Sequence, residues 1–191
     1  MRTVRYTDRP LELTEGVFMD AITDALTVFR RSADRFGAAL AGVPETTWVF
    51  KPSPSVWSMA EVIEHVTMTD RGIRGLAASV LRPFEPGEHS AIDDAAIATI
   101  FDGDVPPPPD VHEPSGTWTD RPAAIARFAE ASDALAAWYE STDADLRAFT
   151  YPHPIFGLLD GVQWLLFAAS HHDNHTRDLL ELRELANAAT G

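Results

Sequence analysis

Cysteine is missing from all 191 residues, lysine occurs once, as Lys51, and no apolar run is long. The first absence excludes disulfides, thiolate-held zinc, iron–sulfur clusters and a cysteine nucleophile, so a metal in this chain has to be held by imidazole or oxygen ligands. The second belongs to a wider shortage of positive charge: 15 Lys and Arg stand against 29 Asp and Glu, a formal net charge of −14. Binding to nucleic-acid phosphate is carried by Lys and Arg, so nucleic acid is not an expected partner. The third absence excludes a membrane span, because the longest apolar stretch, around Gly161 to Ser170, falls well short of the roughly 20 residues required. The opening MRTVRYTDRP has charge but no apolar core behind it, unlike a signal peptide. A soluble, cytoplasmic protein is expected, with one domain over residues 1–191 that is long enough to bury a core without cross-links.

What the chain does have is helical periodicity. Val17, Phe18, Ile22, Leu26, Phe29, Ala33, Phe36 and Leu40 recur at steps of three and four, predicting an amphipathic helix from about Glu15 to Ala41, stopped by Gly42, Val43 and Pro44. The connector Glu45–Val56, with Pro44, Pro52 and Pro54 in or beside it and Trp48 and Trp57 flanking it, reads as a packed loop. Ser58-x-x-Glu61 matches a capping box opening a second helix, with Val62, Val66, Ile73, Leu76 and Val80 as its inward stripe and Pro83 ending it. Residues 83–119 hold Pro83, Pro86, the run Pro106–Pro109 and Pro114 around a short helical pattern from about Ala91 to Phe101. They predict a long crossover, and such crossovers serve as lids in some bundles and as plain connections in others. A third helix is predicted from about Pro122 to Ser141, with Ile125, Phe128, Ala131, Leu135 and Trp138 facing in. After a loop over Asp143–Leu159, Asp160-x-x-Gln163 is a second capping box and starts a last helix reaching about Ala188. No strand pattern competes. The expected fold is all-α, a four-helix bundle with its long crossover between the second and third helices.

Three histidines stand out. His171 and His175, four residues apart, project from one face of the last helix, and an imidazole from a packed neighbour, His65 of the second helix, would complete a metal site with a position left open. The stretch before the pair, Trp164-Leu-Leu-Phe-Ala-Ala-Ser170, is strongly apolar, and two buried imidazoles without partners would cost on the order of a few kcal/mol. His89, His112 and His153 fall in loops and read as structural. His172 points about 100° away from His171, toward Ala169 and Thr176, as a core group or a support to the site. Glu61 and Asp178 are in reach of the rings but read as surface carboxylates. Ser170 beside a histidine is a weak nucleophile candidate, since adjacent helix positions diverge. There is no His-Glu-x-x-His, and Val62 and Ala168 stand where a di-iron bundle needs glutamates.

Trp57-Ser58, Glu61-Val-Ile-Glu-His65, a proline-broken crossover, His153-Pro-x-Phe-Gly157, Gln163-Trp164 and His171-His-Asp-Asn-His175 together resemble the DinB-like superfamily, from about Ala21 to Leu185. The resemblance implies a four-helix bundle, a homodimer, and a divalent metal, usually nickel or zinc, on His65, His171 and His175. Some members are similar to metal-dependent transferases that use thiols such as mycothiol or bacillithiol, among them maleylpyruvate isomerases. Others resemble hydrolases, and many have no known activity. The expected function is that of a metal-dependent transferase activating a low-molecular-weight thiol for a small-molecule substrate. The alternatives are a metal-dependent hydrolase and a non-catalytic metal-binding stress-response protein. Neither catalytic nor thiol-binding residues can be named from the sequence.

Overall fold

The computed structural model describes residues 15–101 and 112–190. The opening MRTVRYTDRP, the side chains of Val17 and Phe18, and the run Pro106–Pro109 lie outside what is described. Among the described residues no helix is long and apolar enough to cross a membrane.

Four long helices form where the periodicity places them: α1 (Glu15–Ala39), α3 (Met59–Ser79), α5 (Arg121–Ser141) and α6 (Gly161–Thr190). Their starts follow local chemistry. The Ser58 hydroxyl accepts the Glu61 N–H, and the Glu61 carboxylate accepts the Ser58 N–H at 2.7 Å, completing the predicted box on α3. The Asp160 carboxylate accepts the Gln163 backbone N–H at 2.8 Å, and the Gln163 side-chain amide oxygen accepts the Asp160 N–H at 3.1 Å. Such reciprocal caps satisfy two orphan amides at each helix start. On α5 the cap is Asp120, with Pro122 in the first turn.

α1 packs on α6 and α5, and α3 packs on α5 and α6. Arg35–Asp173 and Arg183 to the Ala41 carbonyl pair α1 with α6 in the same chain direction. Arg30–Glu140 and Phe36–Phe128 pair α1 with α5 in opposite directions. The core has two apolar halves, one around Phe29, Leu135, Tyr139, Leu159 and Leu165, the other around Phe36, Leu40, Trp48, Ile63 and Leu179. Along α1, α3 and α6 the switch between halves falls at Ser32, Asp70 and His172, all fully buried. His172 Nε2 lies 2.9 Å from Asp70 Oδ1, and Ser32 Oγ, which donates to the Phe29 carbonyl, lies 3.3 Å from His172 Nδ1. A buried polar layer has to be internally paired, and this one ties three helices at one level.

The structure corrects several expectations. The fold is mostly helical rather than all-α: β1 (Arg82–Pro83), β2 (Phe149–His153) and β3 (Gly157–Asp160) make an antiparallel sheet in the order β1-β2-β3. Its strands are two to five residues long and contain Pro83 and Pro152, which erase the alternation that marks a strand. The pairing of Arg82 with Thr150 joins segments far apart in sequence, which local patterning does not register. The connector after α1 contains a helical turn, α2 (Glu45–Trp48), and the crossover contains α4 (Asp94–Ala98), shorter than the pattern suggested. Val80 is the C-cap of α3 and is exposed, because the helix ends before the stripe carries it inward.

Candidate metal centre

The N-terminal half of α3 is buried on nearly every side, and His65 with it; His171 and His175 lie one turn apart on the buried face of α6. The antiparallel packing of these helices brings the three rings together. His65 Nε2 is 3.0 Å from His171 Nε2, and His175 Nε2 is 3.1 Å from the same atom. The outer nitrogens decide what the inner ones can do. His65 Nδ1 is 2.8 Å from the His112 carbonyl, and His175 Nδ1 is 2.8 Å from Asp178 Oδ2. Both partners only accept, so each Nδ1 carries the proton and each Nε2 turns a lone pair inward.

Burial, with His175 nearby, pushes the His65 ring down to about 4. Burial and the neighbouring rings hold His171 well below the ordinary imidazole value. Both are therefore neutral at physiological pH, the state a metal ligand needs. His171 Nδ1 is buried with no hydrogen-bond partner. Without an ion, two inward lone pairs compete for the one proton that His171 Nε2 can offer, and a buried ring is left half-satisfied, an arrangement that costs stability.

A cation resolves that conflict if the distances permit it. The three ligand atoms lie within 4.8 Å of one another. Nitrogens bound at about 2.0–2.1 Å and roughly 90–109° apart would stand about 2.8–3.4 Å from each other, which brackets both observed separations. Even at the upper limit for the third side, a triangle of 3.0, 3.1 and 4.8 Å has one point about 2.5 Å from every corner. The three histidines could hold a metal ion.

A family model described as the DinB superfamily matches residues 29–179, from α1 into α6 and across all three histidines. This chain belongs to the DinB superfamily. No curated protein and no solved structure matches it. Membership in the DinB superfamily and the buried three-histidine group agree with each other: both fit a metal-binding protein.

The surroundings of the centre in this DinB protein divide into two sides. Trp57 lies over His65 and His175, with ring centroids 4.8 and 6.5 Å away. Phe101 and Phe167 flank His171 at 6.0 and 5.9 Å. Beyond Trp57 a cavity of about 380 Å³ is bounded by Trp57, Val62, Asp178, Glu181 and Leu182, so two of its walls, Trp57 and Asp178, also touch the histidine rings.

The remaining candidates separate cleanly. His172 is the core group expected, held by Asp70. Ser170 donates to the Ile97 carbonyl at 2.7 Å. Glu61 serves the α3 cap and accepts from Lys51, away from the rings. Asp178 is on the surface as expected, with its side chain 47% exposed, and it also accepts from His175, three residues before it on α6. His153 is buried, stacked on Phe156 and tilted against Phe167, and accepts the N–H groups of Ile155 and Phe156 at Nδ1. His89 is exposed. His112, read as a loop residue, supplies the carbonyl that orients His65, a role no sequence spacing signals because it belongs to the backbone.

Proposed function

We propose that this protein is a metal-dependent transferase that holds one divalent cation, nickel or zinc, on His65, His171 and His175 and uses it to activate a low-molecular-weight thiol. The observation that carries the reading is the convergence of three Nε2 atoms whose outer nitrogens, on two of the rings, are already committed to acceptors. A metal-bound imidazole carries no charge of its own, so a dication held by three of them would keep its full charge in a buried setting and would lower the pKa of a thiol or water that reaches its open position. Asp178 holds His175 in the ligating tautomer and makes that ring a stronger donor. Trp57 and Asp178, which touch the histidine rings, also line the adjoining cavity, where Trp57, Val62 and Leu182 offer an apolar surface to a small substrate and the volume falls in the range of small-molecule sites. The same charge argument extends to hydrolysis by an activated water, and a non-catalytic metal-binding role in stress response stands as the third reading.

The proposal takes the chain as one domain, a four-helix bundle with its crossover between α3 and α5, assembled as a homodimer in the cytoplasm. The test is turnover of small electrophiles, with and without added mycothiol, bacillithiol or glutathione, by protein loaded with zinc or nickel and by the same protein after chelation. Thiol-dependent turnover that chelation abolishes supports the transferase. Metal-dependent turnover of esters or amides without thiol replaces it with the hydrolase. Chelation that collapses the melting temperature, with no turnover in either assay, replaces both with the binding role.

A further inference from the structure

The end of the crossover that returns to α3 is gripped by that helix at three places. Glu64, next to His65 and buried, accepts at Oε1 from the Ser115 N–H at 3.0 Å and the Ser115 hydroxyl at 2.6 Å, and at Oε2 from the Gly116 N–H at 3.1 Å. His65 donates from Nδ1 to the His112 carbonyl at 2.8 Å. Two turns further along, Gly72 leaves room for the His112 ring, whose Nε2 would lie 2.9 Å from any Cβ placed there. His112 itself has φ 63, a left-handed backbone that a non-glycine residue adopts only where its surroundings hold it. Gly116, at φ 71, makes the turn that aims two consecutive amides at one carboxylate.

We propose that Glu64 is a positioning residue for the metal centre: its carboxylate fixes the Ser115–Gly116 turn, and the turn fixes the His112 carbonyl that keeps the proton of His65 on Nδ1. The inference rests on the metal-centre reading for its consequence but not for its mechanism. A free neutral imidazole can place its proton on either nitrogen. With the proton on Nε2, His65 would present a donor to the centre where a lone pair is needed. Nothing else described near His65 Nδ1 accepts a hydrogen bond from it, so the ring's orientation depends on a carbonyl that only the loop supplies, and three of the hydrogen bonds that hold the loop on α3 end on Glu64. A buried carboxylate with three donors also cannot be replaced by an amide without loss, since one of its two positions becomes an NH₂ group facing an N–H or O–H.

The experiment compares wild type with Glu64→Gln, Ser115→Ala and, as a control on the same helix, Glu61→Gln. The ring tautomer of His65 is read by ¹⁵N NMR in metal-free protein, and Zn²⁺ affinity by competition with a chelator. Wild type should show a single Nδ1–H form. Glu64→Gln should mix the two tautomers and bind Zn²⁺ about 10- to 100-fold more weakly, the usual effect of losing an outer partner of a ligand. Ser115→Ala, which removes one of the three donors, should shift both readouts in the same direction by a few-fold. Glu61→Gln, on the same helix, gives up the ion pair with Lys51 but should leave both unchanged, which separates positioning from the mere loss of a carboxylate on α3. A Glu64→Gln protein with a wild-type His65 tautomer and wild-type Zn²⁺ affinity overturns the proposal. If that variant does not fold, an unchanged Ser115→Ala protein overturns it. Wild type that binds no Zn²⁺ or Ni²⁺ would refute the metal reading alone, and the tautomer measurement would still decide the role of Glu64.

Discussion

Acidification of the metal-free protein should remove a defined share of its stability through His153, a residue outside the centre. The ring is buried against Phe156, Phe167 and Trp164, and burial pushes it down to about 4. Its Nδ1 meets two backbone N–H groups, so a proton there would face donors rather than acceptors. In the unfolded chain the ring returns to about 6.5. The unfolded state then binds more protons than the native state as pH drops through 6.5, so stability falls from there down to about pH 4 and is fully present above 6.5. Between about pH 7.5 and pH 5 the linkage relation gives a loss of about 2 kcal/mol from this one ring. For a chain of this length that corresponds to about 4–8 °C in melting temperature. The assay is urea unfolding at both pH values in the presence of a chelator, on wild type and His153→Phe. The variant keeps the ring stacking and loses the titration. Its absolute stability is lower, because the Ile155 and Phe156 amides lose their acceptor, but its drop between the two pH values should be smaller than wild type by about 2 kcal/mol. Equal drops in both proteins would refute the assignment of that pH dependence to His153.

Three further outcomes are expected. Zinc at about 100 times its dissociation constant should stabilise the protein by about 2.7 kcal/mol, read as a rise in melting temperature, and the triple variant His65→Ala, His171→Ala, His175→Ala should show no rise and no stoichiometric metal by elemental analysis. Asp178→Ala frees His175 Nδ1 and should weaken metal binding by about 10- to 100-fold, measured by chelator competition. Asp70→Ala leaves His172 Nε2 without its partner in a fully buried layer and should cost about 1–3 kcal/mol in denaturant unfolding; the double variant Asp70→Leu, His172→Phe should recover part of that loss.

The features legible in the sequence are those written in neighbouring residues. The capping boxes of Ser58 with Glu61 and of Asp160 with Gln163 are four-residue signals, and they mark the starts of α3 and α6. The four-residue interval of His171 and His175 fixes a shared helix face, and their burial follows from the apolar stretch ahead of them. The sheet escaped because its information is a register between Arg82 and Thr150, spread over segments that prolines keep short. The supports of the centre escaped for a related reason. The His112 carbonyl reaches His65 across 47 positions, and Glu64 meets Ser115 across 51. Asp178 was within sight, at helical spacing from His175, but a carboxylate on a helix surface looks the same in sequence whether or not a ring turns toward it.

The small sheet has a consequence for how the chain can vary. β1 follows directly on α3, and β3 runs straight into the cap of α6, so its hydrogen bonds clasp together the ends of the two helices that carry all three imidazoles. With that clasp at one end and the Asp70–His172 tie at mid-height, the spacing between His65 and His171 is set without reference to the path taken by the crossover. Changes to the crossover that spare His112, Ser115 and Gly116, which turn the His65 ring, should therefore leave the nitrogens where an ion would find them.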